Sequence, residues 1–121
     1  MKMNYTIQEL MDRLFQLDAE CEQAGLVYCE DKENYDIADD NYKIKLAQIE
    51  SLQSGNSGAE KKRQALISSD WNDYVAMYQD FRRAMRQSRD KKETLQRHWD
   101  TCQSLLSAEK ALLMKLGGGE L

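Results

Sequence analysis

The chain contains no proline in 121 residues. At an average usage of about 5%, roughly six would be expected. Proline breaks helices and marks turns, so its absence points to long helices with few connections. No apolar run approaches the roughly 18 residues needed to span a membrane, and no apolar segment of a signal peptide comes after Met1-Lys2-Met3-Asn4-Tyr5. The sequence is therefore read as cytoplasmic. Histidine occurs once, at His98. No serine or cysteine stands at a spacing from it that suggests a nucleophile and its base. Glycine-rich phosphate loops are missing too, since Ser54-Gly55-Asn56-Ser57-Gly58 lacks both the lysine and the preceding strand. Cys21, Cys29 and Cys102 are odd in number and show no CxxC spacing, so they are expected to be small apolar fillers. No metal site, cofactor, small-molecule substrate or catalytic residue is expected, and the chain is read as not an enzyme.

What the sequence has is charge and a heptad. Charged residues make up 31% and apolar residues 41%, a mixture suited to solvated helices with narrow apolar stripes. Thr6-Ile7-Gln8-Glu9 is a capping box, with Tyr5 and Leu10 placed as its hydrophobic staple. Ser57-Gly58-Ala59-Glu60 repeats the box. Before it, Ser54-Gly55-Asn56 supplies residues that end a helix in the left-handed conformation. One helix should stop near Ser54 and the next begin near Gly58, which makes them antiparallel neighbours.

The first helix carries an apolar seam, Ile7, Leu10, Leu14, Leu17, Cys21, Ala24, Tyr28, Asp31, Tyr35, Ala38, Tyr42, Lys45, Ile49 and Leu52. Asp31 and Lys45 are out of place in a core, and Leu46 can substitute for Lys45. The second seam runs Ile67, Trp71, Tyr74, Tyr78, Phe81, Met85, Ser88, Lys92, Leu95, Trp99, Cys102, Leu106, Glu109, Leu113 and Leu116. Alternating spacings of three and four are the coiled-coil pattern. The fold expected is all-α, a single domain over residues 1–116 built as a long antiparallel coiled-coil hairpin, with residues 117–121 as a disordered tail. In the register set by the turn, Ile7 faces Leu105 and Ala24 faces Ser88. Gly25 leaves two readings: helices over 6–54 and 58–116, or three helices with a break near Gly25. Ser68-Ser69-Asp70 favours a cap or kink before Trp71.

Phe15, Val27, Ile37, Ile44, Val75, Met77, Leu105, Leu112 and Met114 lie off the seam, where a lone hairpin would leave them in water. Apolar surface of that extent marks an interface, so a homo-oligomer is expected.

Charge is unevenly spread. Residues 1–50 carry 12 acids and 5 bases, and residues 51–121 carry 9 acids and 12 bases. Residues 82–98 hold seven basic side chains against two acidic. Arg82, Arg86 and Arg89 share a helix face, with Arg83 beside them. Such a stripe can fork-bind phosphates along a nucleic-acid backbone, and Lys61, Lys62 and Arg63 at the hairpin tip are a second candidate contact. Phe81 and Trp99 flank the stripe but belong to the seam. The same arginines could instead pair across the hairpin with Asp18, Glu20, Glu22 and Glu30. The acidic run Glu30, Asp31, Glu33, Asp36, Asp39 and Asp40 is the alternative working surface, suited to a protein partner.

The run Ala65-Leu66-Ile67-Ser68-Ser69-Asp70-Trp71-Asn72-Asp73-Tyr74, continued by a long charged helix ending Trp99-Asp100-Thr101-Cys102-Gln103-Ser104-Leu105-Leu106-Ser107-Ala108-Glu109, resembles small helical-hairpin proteins of the recombination and early regions of tailed bacteriophages. In architecture it is similar to the recombination mediator of T-even phages. The resemblance implies a non-catalytic oligomer in the bacterial host cytoplasm that assists a recombination protein on single-stranded DNA. Arg82, Arg83, Arg86 and Arg89 would be its basic contacts, with Lys61 to Arg63 as candidates. An isoelectric point near 5.0 departs from the basic balance usual for a protein living on DNA. An inhibitor or adaptor acting on a host protein, or a structural coiled-coil scaffold, are the competing readings.

Overall fold

A computed structural model describes residues 5–118. It contains four helices and, among the described residues, no strand: α1 Ile7–Asp40, α2 Tyr42–Ser51, α3 Gly58–Leu66 and α4 Ser69–Gly118. Both N-cap bonds of the expected capping boxes form, while the Glu60 carboxylate accepts from the Asn56 amide (3.4 Å) rather than from that of Ser57. The Glu9 amide donates to Thr6 Oγ1 (3.1 Å) and the Glu60 amide to Ser57 Oγ (3.2 Å). Each bond satisfies one amide that a helix start leaves without a partner.

Contacts divide the chain into two units, one taking residues up to Val27 and from Arg89 onward, the other Tyr28–Ser88. In the first unit α1 packs antiparallel on α4. Leu10, Leu14, Leu17, Cys102 and Leu106 are buried together, with Ile7, Leu95 and Trp99 against them. The Cys102 thiol donates to the Leu10 carbonyl at 3.5 Å, which confirms the expected register. Cys21 is half-buried on the seam, but Cys29 is exposed and fills nothing.

In the second unit Ile49, Ala65 and Trp71 form the buried centre, with Tyr42, Leu46, Tyr74 and Val75 packed on it. Leu46 thus takes the place of Lys45, and Val75 belongs to this core rather than to the surface. Tyr35 meets Tyr78 (ring centroids 5.4 Å) and Tyr42 meets Trp71 edge-on (4.9 Å), again on the expected register. Leu52 and Ile67, both assigned to the seam, are exposed, because each falls just beyond a helix end.

Gly25 does not break α1. The break comes at Asn41, where Asp39, Asp40 and Asn41 set three side chains that compete for helical hydrogen bonds in succession. Asn41 Nδ2 donates to the Ile37 carbonyl (2.8 Å) and Asn41 becomes the N-cap of α2. A glycine inside a helix costs about 1 kcal/mol relative to alanine, too little to interrupt a helix held by the buried seam on either side. Close helix approach does not explain Gly25 either, since a Cβ built there meets nothing within 4 Å. Gly25→Ala is therefore expected to raise stability by up to about 1 kcal/mol, read as a higher denaturation midpoint. A lowered midpoint would contradict this account.

The second break falls where Ser68-Ser69-Asp70 placed it. Ser68 Oγ accepts from the Trp71 amide (3.2 Å) and donates to the Ala65 carbonyl (2.7 Å). The α2–α3 turn differs from expectation. No described residue has positive φ, so no left-handed cap forms. Instead α2 ends in tight turns, with the Leu52 and Gln53 amides donating to the carbonyls of Ile49 and Glu50. Gly55 serves close approach: a Cβ there would stand 3.2–3.3 Å from Lys61 and Glu60. Gly117 and Gly118 continue α4, and the tail expectation for residues 119–121 lies outside the described residues. No helix among the described residues is long and apolar enough to cross a membrane.

Candidate nucleic-acid interface

Arg82, Arg83, Arg86 and Arg89 are all exposed on α4. The helix sets Arg82 and Arg86 of the second unit about 6 Å apart along its axis, and Arg89 opens the α4 segment of the first unit. Arg83 Nη1 lies 3.2 Å from Asp80 Oδ1, and Arg89 Nε 3.7 Å from Asp90 Oδ1. Both pairs lie within α4 and are open to water, where an ion pair contributes about 0–1 kcal/mol, so neither holds its arginine against a competing phosphate. Arg82 and Arg86 are in no ion pair among the described residues, and none of the ion pairs there joins the stripe to the acids of α1.

Within the acidic run of α1, Asp36 and Asp39 find partners. Asp36 Oδ2 takes Lys32 Nζ at 2.7 Å, which holds the Lys32 ammonium above its ordinary pKa, through that hydrogen bond first. Asp39 Oδ1 accepts the Tyr78 hydroxyl at 2.8 Å. Glu30, Glu33 and Asp40 are exposed and Asp31 is half-buried. The acidic run is thus a solvated flank, partly committed to its own helix and to Tyr78.

Lys62 and Arg63 are exposed on α3, while Lys61 is half-buried beside Gly55. The Ile67–Ser68 turn and about 3.5 turns of α4 separate this cluster from Arg82, so the two basic groups do not form one patch. Phe81 and Trp99 are half-buried on the seam, and Trp99 Nε1 is enclosed without a hydrogen-bond partner. Neither ring is presented as a stacking platform for bases.

A tyrosine cluster absent from the expected sites holds the Asn41 break. The Tyr74 hydroxyl donates to the Ala38 carbonyl (2.5 Å) in the last turn of α1, and Tyr35 and Tyr78 share a hydroxyl contact at 3.0 Å. Burial first, then Asp39, pushes the Tyr74 phenol above its ordinary pKa. Hydrogen bonds to Tyr35 and then Asp39 push Tyr78 up strongly. A phenol raised in the fold stabilises it while neutral, so this contribution is present below pH about 10 and is lost as pH climbs beyond it. Denaturation midpoints should fall between pH 9 and 11, and less so in Tyr78→Phe. An equal fall in that variant would remove Tyr78 from the account.

A groove of about 810 Å³ lies in the first unit. Leu10 and Leu17 of α1 with Cys102 and Leu105 of α4 form its apolar lining, and Glu9, Asp12, Arg13, Gln16, His98 and Thr101 its polar lining. Apart from the lone His98, nothing in the sequence pattern marks it. Burial, and then Asp18 and other nearby acids, raise the Cys21 thiol pKa, which disfavours its reactive thiolate. No His, Cys, Asp or Glu cluster among the described residues could hold a metal ion. No family model matches this chain, and neither a curated protein nor a solved structure shows significant similarity to it.

Proposed function

We propose that this chain is a non-enzymatic, oligomeric helical protein that binds the phosphate backbone of single-stranded DNA through Arg82, Arg83, Arg86 and Arg89, as an accessory factor in phage DNA recombination or replication. The observation that carries the proposal is the state of the arginines. They stand exposed in helical register, and no ion pair among the described residues joins them to Asp18, Glu20, Glu22 or Glu30 across the hairpin. Guanidinium forks favour phosphate oxygens. With Phe81 and Trp99 turned into the seam, binding is to the backbone and carries little base preference. The accessory role and the phage setting rest on the resemblance in sequence pattern. Oligomerisation rests on Leu26, Ile37, Ile44, Leu112 and Met114, each more than half exposed.

Fluorescence anisotropy of a labelled oligonucleotide, titrated at several salt concentrations, tests the reading. Four phosphate contacts on a single strand give a slope of log affinity against log salt of about −3, or a loss of about fiftyfold between 50 and 200 mM salt. No binding at the lower salt would overturn the proposal and direct attention to the acidic run and a protein partner.

A further inference from the structure

Leu106 is the last buried residue of α4, and every residue from Ser107 to Gly117 is exposed. The cause is the register. Leu10 stands across from Cys102, so α1, which begins at Ile7, has no turn left to cover α4 beyond Leu105. Yet the apolar pattern does not stop. Thr101 and Leu105, which line the groove, continue along the same face of α4 as Ala108, Leu112 and Leu116, within a stripe about 80° wide. Leu105, Leu112 and Leu116 are 45%, 51% and 65% exposed. A groove with an apolar floor and an uncovered apolar helix end therefore adjoin on one face of one unit.

We infer that the last three turns of α4 dock in the groove of a second copy of this chain, which docks its own in return. Antiparallel pairing about a two-fold axis near Ala108 sets Leu105 of each copy beside Leu112 of the other and Leu116 beside Thr101. The small Ala108 side chain lets the helices approach at the axis. The same placement brings Lys115 to the level of Cys102 of the other copy, where Glu9 and Asp12 line the groove from α1. Arg13, also on the lining, reaches Gln16 at 3.0 Å. The stripe thus supplies apolar continuity and opposite charge together, and the isologous geometry makes each contact twice. This inference deepens the oligomeric part of the proposed function and is independent of DNA binding.

Sedimentation equilibrium of the full chain from about 1 to 100 μM tests it, with far-UV circular dichroism as the check on folding. The wild type should reach a dimer of its 14.1 kDa chain. Leu112→Asp should raise the dissociation constant at least about a hundredfold with helicity kept, because Leu112 is not part of the core. Lys115→Glu should weaken pairing about tenfold or less, and Asp12→Lys in the same chain should recover it. A wild-type monomer throughout would overturn the oligomeric reading as a whole. An oligomer indifferent to Leu112→Asp would overturn this interface alone, and failure of the charge exchange would overturn its register.

Discussion

Replacing Arg82 and Arg86 together with glutamate is expected to abolish single-stranded DNA binding, while replacing them with alanine should weaken it and halve its salt dependence. The two changes separate what the arginines do. Each alanine removes one phosphate contact, so the slope of log affinity against log salt should move from about −3 to about −1.4. Each glutamate also adds a repelling charge, and the remaining pair, Arg83 and Arg89, then works beside both those and its helix-mates Asp80 and Asp90. Both positions are exposed, so helicity and thermal midpoint should hold within about 0.5 kcal/mol. Unchanged affinity in the glutamate variant would remove the stripe from the mechanism. Loss in Lys62→Glu/Arg63→Glu instead would move the contact to α3.

The seam was readable because burial in a two-helix pairing depends mainly on periodicity. Leu10, Leu14, Leu17, Ala24, Ala38, Ile49, Trp71, Ser88, Cys102 and Leu106 recur at alternating spacings, and all are buried. Capping was readable because one hydroxyl and one amide three residues on suffice, as at Thr6 and Ser57. Helix breaks were harder. Gly25 drew notice as a poor helix former, but its cost is small beside the burial that flanks it. Asp39-Asp40-Asn41 carried the real signal, masked because Ala38 and Tyr42 stay in phase across the break. The fate of the arginines was not legible. Cross-hairpin pairing depends on where long side chains reach, and none of Asp18, Glu20, Glu22 and Glu30 forms an ion pair with the stripe among the described residues. The groove was equally hidden, since it is the space that side chains at off-seam positions leave unfilled.

Leu17 and Phe15 show how sharply that periodicity divides apolar residues. They stand two positions apart on α1, yet Leu17 is 1% exposed and Phe15 81%. Two residues turn a helix by about 200°, so one side chain enters the Leu10–Leu106 cluster and the other faces water. Leu17→Ala removes three buried carbons and leaves a cavity between α1 and α4 that rigid helices close only in part. A cost of about 3 kcal/mol is expected, within a general range of roughly 2–5. Phe15→Ala removes the larger side chain but almost no buried surface, and its cost should stay within about 0.5 kcal/mol. Urea denaturation monitored by far-UV circular dichroism reads both values under the same conditions. Equal losses would mean that Phe15 is covered in solution, which would place a partner surface on the outer face of α1. A negligible loss for Leu17→Ala would mean that α1 and α4 do not pack in the register that the Cys102 and Leu10 contact defines.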